Sequence, residues 1–392
     1  MPPSTETLLA QVLERIEHEL PRAIELRHRL HAHPELAHAE QLTAAHITAE
    51  LPVTSTKVAG TGLAALIPSP SGAPVAVRAE LDGLPIRERT GAPFSATGET
   101  MHACGHDVHM AALVALARAA HELGDELPAP LLTIFQPSEE AYPSGAEELA
   151  RGELAALAPR AIVGAHIHPE LPWGAVGLDP GIVNASCDLI EIVIEGEPTH
   201  GAYPHHGRDP VLALAEVVVS LHAHLSRRID PLHPAVLTIG ELQAGSAENV
   251  IPAEARARGA LRAYRAEDRR ALAELVEEVV GGVAAASGCR GRVELASGEP
   301  ALENDPQIVT GVRALLAHAG LQSAPEWRSC GSDDFAFFGA LAPLAMAFVG
   351  LDGAASFEAR PLHHPELLVP DEAVGAIART QAVLFLAAAA AT

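Results

Sequence analysis

The chain has 392 residues, 48% apolar and only 3% aromatic, with 26 Lys and Arg against 50 Asp and Glu, a formal charge of −24. That apolar content argues against a disordered chain. The acidity is dispersed, so it offers no basic footprint for nucleic acid or an anionic membrane surface.

The length suggests two or three domains at roughly 100–200 residues each. Four scattered cysteines (Cys104, Cys187, Cys289 and Cys330) are no disulfide framework. The segment from Met1 to Leu20 has no basic stretch leading into an apolar one, so no secretory signal is expected. No run of about 18 apolar residues is expected to span a membrane. A reduced, cytoplasmic protein is the expectation.

In chain order, the first ~50 residues read as helix, with Leu9, Val12, Leu13, Ile16 and Leu20 on one face. Residues 73–80 read as a strand ending in charge, 110–123 as an Ala/Leu helix, 131–136 as a buried strand, and 161–166 as another that Pro169 ends. This order predicts an α/β fold, a mostly parallel sheet flanked by helices, with sites just beyond the strand C-termini. From about residue 185 the texture changes. Strands over 188–195, 236–243, 255–264 and 290–295 alternate with helices over 209–225 and 266–286. That is the βαββαβ order of a ferredoxin-like α+β sandwich. The expected division is 1–184 and 296–392 as two parts of one catalytic domain, with 185–295 inserted. In the last part, 306–318 reads as a helix, 344–349 as a strand and 381–392 as a last helix.

Thirteen of the 21 histidines sit in five windows, with carboxylates nearby. The densest window runs from Met101 to Met110, with Cys104, His106 and His109. Cysteines are too few for a closed structural zinc site, so a metal at Cys104 needs His and carboxylate partners, which suits a catalytic site. Cys104 as a nucleophile with a His base is a rival reading. Glu139 and Glu140 follow a buried strand, where paired carboxylates need a partner. In a metal hydrolase one such carboxylate ligates and the other moves the proton; a solvated helix start is the plain alternative. His166 and His168 follow the strand at 161–166, Glu80 and Asp82 end the strand at 73–80, and His363 and His364 lie near the C-terminus. Together these windows supply enough donors for two ions.

Eight segments carry a resemblance. They are His31-Ala-His-Pro-Glu35, Arg78-Ala-Glu-Leu-Asp-Gly-Leu-Pro-Ile86, Met101-His-Ala-Cys-Gly-His-Asp107, Phe135-Gln-Pro-Ser-Glu-Glu140, Thr199-His-Gly-Ala-Tyr-Pro-His205 with Asp209-Pro-Val, Glu248-Asn-Val-Ile-Pro252, Gly331-Ser-Asp-Asp-Phe-Ala336 and Leu362-His-His-Pro365. In this combination and order the chain resembles the M20 metallopeptidase/amidohydrolase family, in its hippurate hydrolase and N-acyl-amino-acid (auxin-conjugate type) branch. The resemblance implies a metal-dependent amidohydrolase that cleaves N-acyl-L-amino acids to a carboxylic acid and a free amino acid. It implies two divalent ions per subunit (Zn, Mn, Co or Ni) and a homodimer through the inserted domain, which also closes over the substrate.

By motif position, Cys104, His106, Glu140, His166 and His363 correspond to the metal ligands, with His363 preferred to His364 because it directly follows Leu362. Glu139 corresponds to the general base acting on a water held by the two ions, and Asp82 to a residue that orients a ligand. His200 corresponds to the donor that polarises the scissile carbonyl. Asn249 and Arg262 correspond to residues that hold the substrate's carboxylate and carbonyl, and Gly331 and Ser332 line the pocket. His168 is expected at the rim. Three departures stand out: Glu80 where the family more often has Asp, Gly83 where it has Ala, and Ala141-Tyr-Pro-Ser144 in place of a Gly-rich stretch. Tyr142 and Pro143 are expected to narrow the pocket. A dipeptidase or aminopeptidase with the same site, and a dimeric non-catalytic metal- or ligand-binding scaffold, are the competing functions.

Overall fold

The computed structural model describes residues 3–70 and 72–391 and divides into two compact units. The first comprises Met1–Gly181, Glu303–Trp327 and Phe337–Thr392. Its sheet has eight strands in the order Thr56–Val58, Gly62–Ile67, Leu131–Gln136, Val75–Glu80, Ala161–Pro172, Leu344–Asp352, Ala175–Gly177 and Gln322–Ser323. The four central strands run parallel to one another, while antiparallel pairs flank them on both sides. Val75–Glu80 and Leu131–Gln136 are buried at every residue, the pattern of strands covered on both faces.

The register sets Glu80 beside Gln136, Arg78 beside Gly164, and Phe348 beside His166. The loops that leave the C-terminal ends of these strands carry Asp82, Glu139 and Glu140, so the parallel sheet gathers them at one edge.

Around the sheet pack the helices Thr5–Ala32, His106–Leu123 and Glu372–Ala391. The N-terminal helical region is two helices, Thr5–Ala32 and Gln41–Glu50, broken where Pro34 disfavours a helical residue before it. The last helix starts at Glu372 rather than at residue 381. It passes the length and hydropathy test for a membrane span, yet 89% of the apolar window is buried within the protein, so it is a core helix.

The strand expected to stop at Pro169 continues to Pro172. Its pairing with Leu344–Asp352 shifts register between Gly350 and Asp352, and Pro169 falls at that irregularity, where no ladder N–H is required of it. Gly350 makes the close approach possible, because a Cβ there would stand 2.0 Å from the Pro172 carbonyl oxygen.

The second unit comprises Ile182–Leu302 and Arg328–Ala336. Its four-stranded antiparallel sheet has the order Ala235–Ala244, Glu254–Ala263, Ser186–Glu195, Arg290–Ser297. Helices Pro210–Arg228 and Ala266–Ala286 complete the βαββαβ chain order of a ferredoxin-like sandwich. Asp209 caps the first of these by accepting from Val211 N and Leu212 N, with Pro210 at the first helical position. Ile190, Ile192 and Ile194, at the alternate positions of a strand, meet Leu214, Val217, Leu272 and Val276 in its core. Residues 296–302 and 328–336 belong to this unit rather than to the sequence's last part. The reason is backbone pairing: Ser329 N donates to Val183 O, and Ala185 N donates to the carbonyls of Ser329 and Gly331.

Candidate metal centre

Each segment that bears a candidate ligand is held by a specific backbone device. Gly105 has φ +82° between Cys104 and His106. A Cβ there would lie 2.5 Å from Ile167 Cδ1, so only glycine lets the chain turn into the helix His106–Leu123 at this point. After Leu131–Gln136, Ser138 takes φ +49°, its N–H donating to Glu40 Oε1 at 2.9 Å and its single hydroxyl proton shared between the Ala141 and Pro143 carbonyls. This buried turn anchors the loop with Glu139 and Glu140. His363 has φ +65°, and its N–H donates to Ala103 O at 2.9 Å, beside Cys104.

The hydrogen bonds settle the imidazole tautomers. His106 Nδ1 is 2.8 Å from the Asp82 carbonyl oxygen, which only accepts, so Nδ1 donates and Nε2 is the nitrogen left facing the site. His166 Nδ1 likewise donates to the Ile167 carbonyl at 2.7 Å, leaving Nε2 3.4 Å from Cys104 Sγ. His106 Nε2 and Glu140 Oε1 are buried without a hydrogen bond. His363 Nε2 stands 3.3 Å from Glu140 Oε1, and Glu139 Oε2 stands 3.8 Å from His106 Nε2. In each of three donor sets at this centre the ligand atoms lie within 4.8 Å of one another: Cys104, His106 and His166; Cys104, Glu140 and His363; His106, Glu139 and Glu140. Such spacing fits donors about 2.0–2.3 Å from a shared divalent ion. The unpartnered buried Nε2 and Oε1 are what a metal would satisfy.

The electrostatics fit a site completed by cations. Burial, and then the Glu140 carboxylate, push the Cys104 thiol well above its usual range. Burial pushes His166 well below its usual range. Burial would lower His106 too, but Asp82 and Cys104 outweigh it and hold it well above. Burial would raise Asp82, yet His106 and the backbone N–H groups of Glu140 and Glu139 keep it below the usual carboxylate range. An uncompensated thiolate and carboxylate at this depth are costly without a positive partner.

Cys104, His106, Glu139, Glu140, His166, His363 and Asp82 are thus brought together. His168, on the same strand face as His166, packs edge-on against Trp327 at 4.9 Å between ring centroids. His364 turns its Nδ1 back to the Glu366 N–H at 3.1 Å.

Within the second unit, His200 pairs with Val250 across a two-stranded ladder, and Gly201 N donates to the Asn249 carbonyl at 2.7 Å. His200 Nδ1 accepts the Ala202 N–H at 3.0 Å, so its exposed Nε2 carries a proton to donate. Arg262 Nη1 donates to the Cys330 carbonyl at 3.1 Å and to Ser332 Oγ at 3.4 Å, which ties it to the Gly331 loop.

The sequence sets Glu80 at a strand end facing the site and His109 in the densest histidine window, without a specific part for either or for His31. His109 bonds Glu80 at 2.8 Å, and His31 bridges Asp107 at 3.0 Å and Glu88 at 3.2 Å. The signal present was the spacing of His106 and His109, three apart on one helix face.

The sequence matches Peptidase family M20/M25/M40 over residues 76–384. The chain belongs to this family of hydrolases. It is 34% identical to N-acetyl-L-cysteine deacetylase of Bacillus subtilis over 357 residues, 90% of this chain and 84% of that protein. It is 34% identical to N-acetyldiaminopimelate deacetylase of Shouchella clausii over 317 residues, 80% of this chain and 82% of that one. Among solved structures, a Bacillus subtilis M20-family peptidase described as dinuclear and metal-binding superposes with a TM-score of 0.82 at 31% identity, covering 94% of this chain and 98% of that one.

Proposed function

We propose that this chain is a metal-dependent amidohydrolase that cleaves the amide bond of N-acyl-L-amino acids. The observation that carries the reading is the convergence of Cys104 Sγ, the Nε2 atoms of His106 and His166 and the Glu140 carboxylate, with Glu139 at its edge. Cys104, His106, Glu140, His166 and His363 would hold two divalent ions, Cys104 belonging to two of the donor sets. Thiolate, imidazole and carboxylate together suit Zn, Mn, Co or Ni. Bound there, the ions supply Lewis acidity towards the acyl carbonyl and acidify water.

The chain's own groups do the rest. Glu139 takes a proton from the attacking water and returns one to the leaving amine. Oxygen adds to the acyl carbon, the C–N bond breaks, and a carboxylic acid and an amino acid leave. His200 Nε2–H donates to the carbonyl oxygen as it gains charge. Arg262 and Asn249 hold the free carboxylate, flanked by Gly331 and Ser332, a planar match that suits guanidinium. Acetylated amino acids are the first substrates to try, since two relatives are deacetylases of that class.

A homodimer through the second unit belongs to the same reading. Supporting it are the edge strand Ala235–Ala244, with Leu242 58% exposed, and a helix bearing Val219 at 70% and Leu212 at 57%. Sedimentation should give twice the chain mass, and a monomer would remove this part.

The test of function is a panel of N-acetyl-, N-benzoyl- and indoleacetyl-amino acids against dipeptides, on metal-reconstituted and chelated protein. Hydrolysis of the acylated set only, abolished by chelation, is expected. Preference for dipeptides would transfer the site to a dipeptidase, and inactivity on all with metal bound would favour a binding scaffold.

A further inference from the structure

Glu80 and His109 lie beside the centre without a part in the reading above. Glu80 is buried between the Arg78 guanidinium and His109 Nδ1. Arg78 is itself fixed by Gln136, Nε to Oε1 at 2.8 Å. A carboxylate paired with guanidinium accepts, so His109 Nδ1 donates and its Nε2 has the lone pair. That lone pair accepts the Ile167 N–H at 3.0 Å. The Ile167 carbonyl in turn accepts His166 Nδ1–H at 2.7 Å. The two rings also meet directly, edge to face, with centroids 4.5 Å apart.

We propose that His109, oriented by Glu80, is a positioning residue that holds His166 as a metal ligand through the Ile167 backbone. His109 pins residue 167 at its N–H, which fixes the carbonyl that takes the His166 proton. His166 is left in one tautomer, with Nε2 turned to Cys104. Glu80, His109 and His166 also lie close enough to hold an ion among themselves. That alternative fails because both His109 nitrogens are already engaged. The pattern is the general one in which outlying partners fix a ligand's ring and tautomer, here transmitted through one peptide unit.

The inference rests on His166 being a ligand, so its test reads zinc binding rather than turnover. Zinc affinity and stoichiometry are measured on the full chain by competition with a chromophoric chelator, with circular dichroism and melting as folding controls. His109→Phe removes both hydrogen bonds. His109→Asn keeps a group near Nδ1 for Glu80 but loses the acceptor for Ile167. His109→Gln carries Oε1 near the Nε2 position and keeps that acceptor. The expected result is that the Phe and Asn variants bind one of two zinc ions about 10-fold or more weakly, while the Gln variant recovers most of the affinity. Should the Phe variant not fold, the Asn and Gln pair decides. Parent-like zinc binding in the Asn variant, or a Gln variant as weak as Asn, overturns the positioning role and leaves the proposed function standing. A parent chain that takes up no zinc, and no manganese, cobalt or nickel in its place, overturns both.

Discussion

Asp82 accepts the backbone N–H of Glu140 on its Oδ2 at 2.9 Å. Its other oxygen stands 3.5 Å from His106 Nδ1. One buried carboxylate therefore ties the loop of Glu139 and Glu140 to the strand end that faces His106. Asp82→Ala removes the Glu140 tether and the charge beside His106, though not the backbone carbonyl that His106 Nδ1 meets, and should weaken metal binding about 10–100-fold. Asp82→Asn keeps an oxygen for the Glu140 N–H and should lose less. Chelator competition on both variants measures this, and equal losses would mean that charge rather than the tether matters.

Glu139 lies 3.8 Å from His106 Nε2 and is partly exposed, placed to exchange protons with substrate. Glu139→Gln keeps its shape and removes its basicity. The turnover rate should fall about 10²–10⁴-fold while metal stoichiometry is retained. Near-parental kcat in that variant would assign the base elsewhere.

Much of this site was legible because its residues fall in short punctuated segments at predicted strand ends. Cys104, His106, Glu139 and Glu140 needed no tertiary information to be grouped, since parallel strands deliver their following loops to one edge. The pairing of Glu80 with His109 was not legible. It spans 29 positions and depends on the strand register that brings Arg78 beside Gly164. The strands Thr56–Val58, at one edge of the sheet, and Ala175–Gly177, inside it, were also missed, being three residues each, too short for any periodicity. Pro169 misled for a different reason: proline ends a strand only where its missing N–H is needed, and a register shift removes that need.

His31 offers a pH test at a group that is not itself a proposed ligand. Burial alone would lower it, but Asp107 and Glu88 outweigh burial and raise it from 6.5 to about 9. A pKa raised on folding means that protonated His31 stabilises the fold. The contribution is full below pH 6.5 and fades as pH climbs through 9, and it is on the order of 3 kcal/mol. The melting temperature of the parent should fall more steeply between pH 6.5 and 9.5 than that of His31→Gln. Parallel curves would show that His31 is neutral in the folded chain.

Arg262 tests the substrate's carboxylate. Its Nη1 is turned to Cys330 O and Ser332 Oγ, which sets the plane of the guanidinium within the second unit. A planar fork can meet a carboxylate with two parallel hydrogen bonds, whereas lysine brings a point charge. Arg262→Lys should therefore raise KM for N-acetyl-amino acids by about 10-fold or more, the size of one lost charge-assisted hydrogen bond, with a smaller change in kcat. The same variant should discriminate less than the parent between an N-acetyl-amino acid and its carboxamide, because the group that distinguishes the two is gone. If both substrates lose equally, Arg262 only braces the Gly331 loop, and the carboxylate is held by another residue.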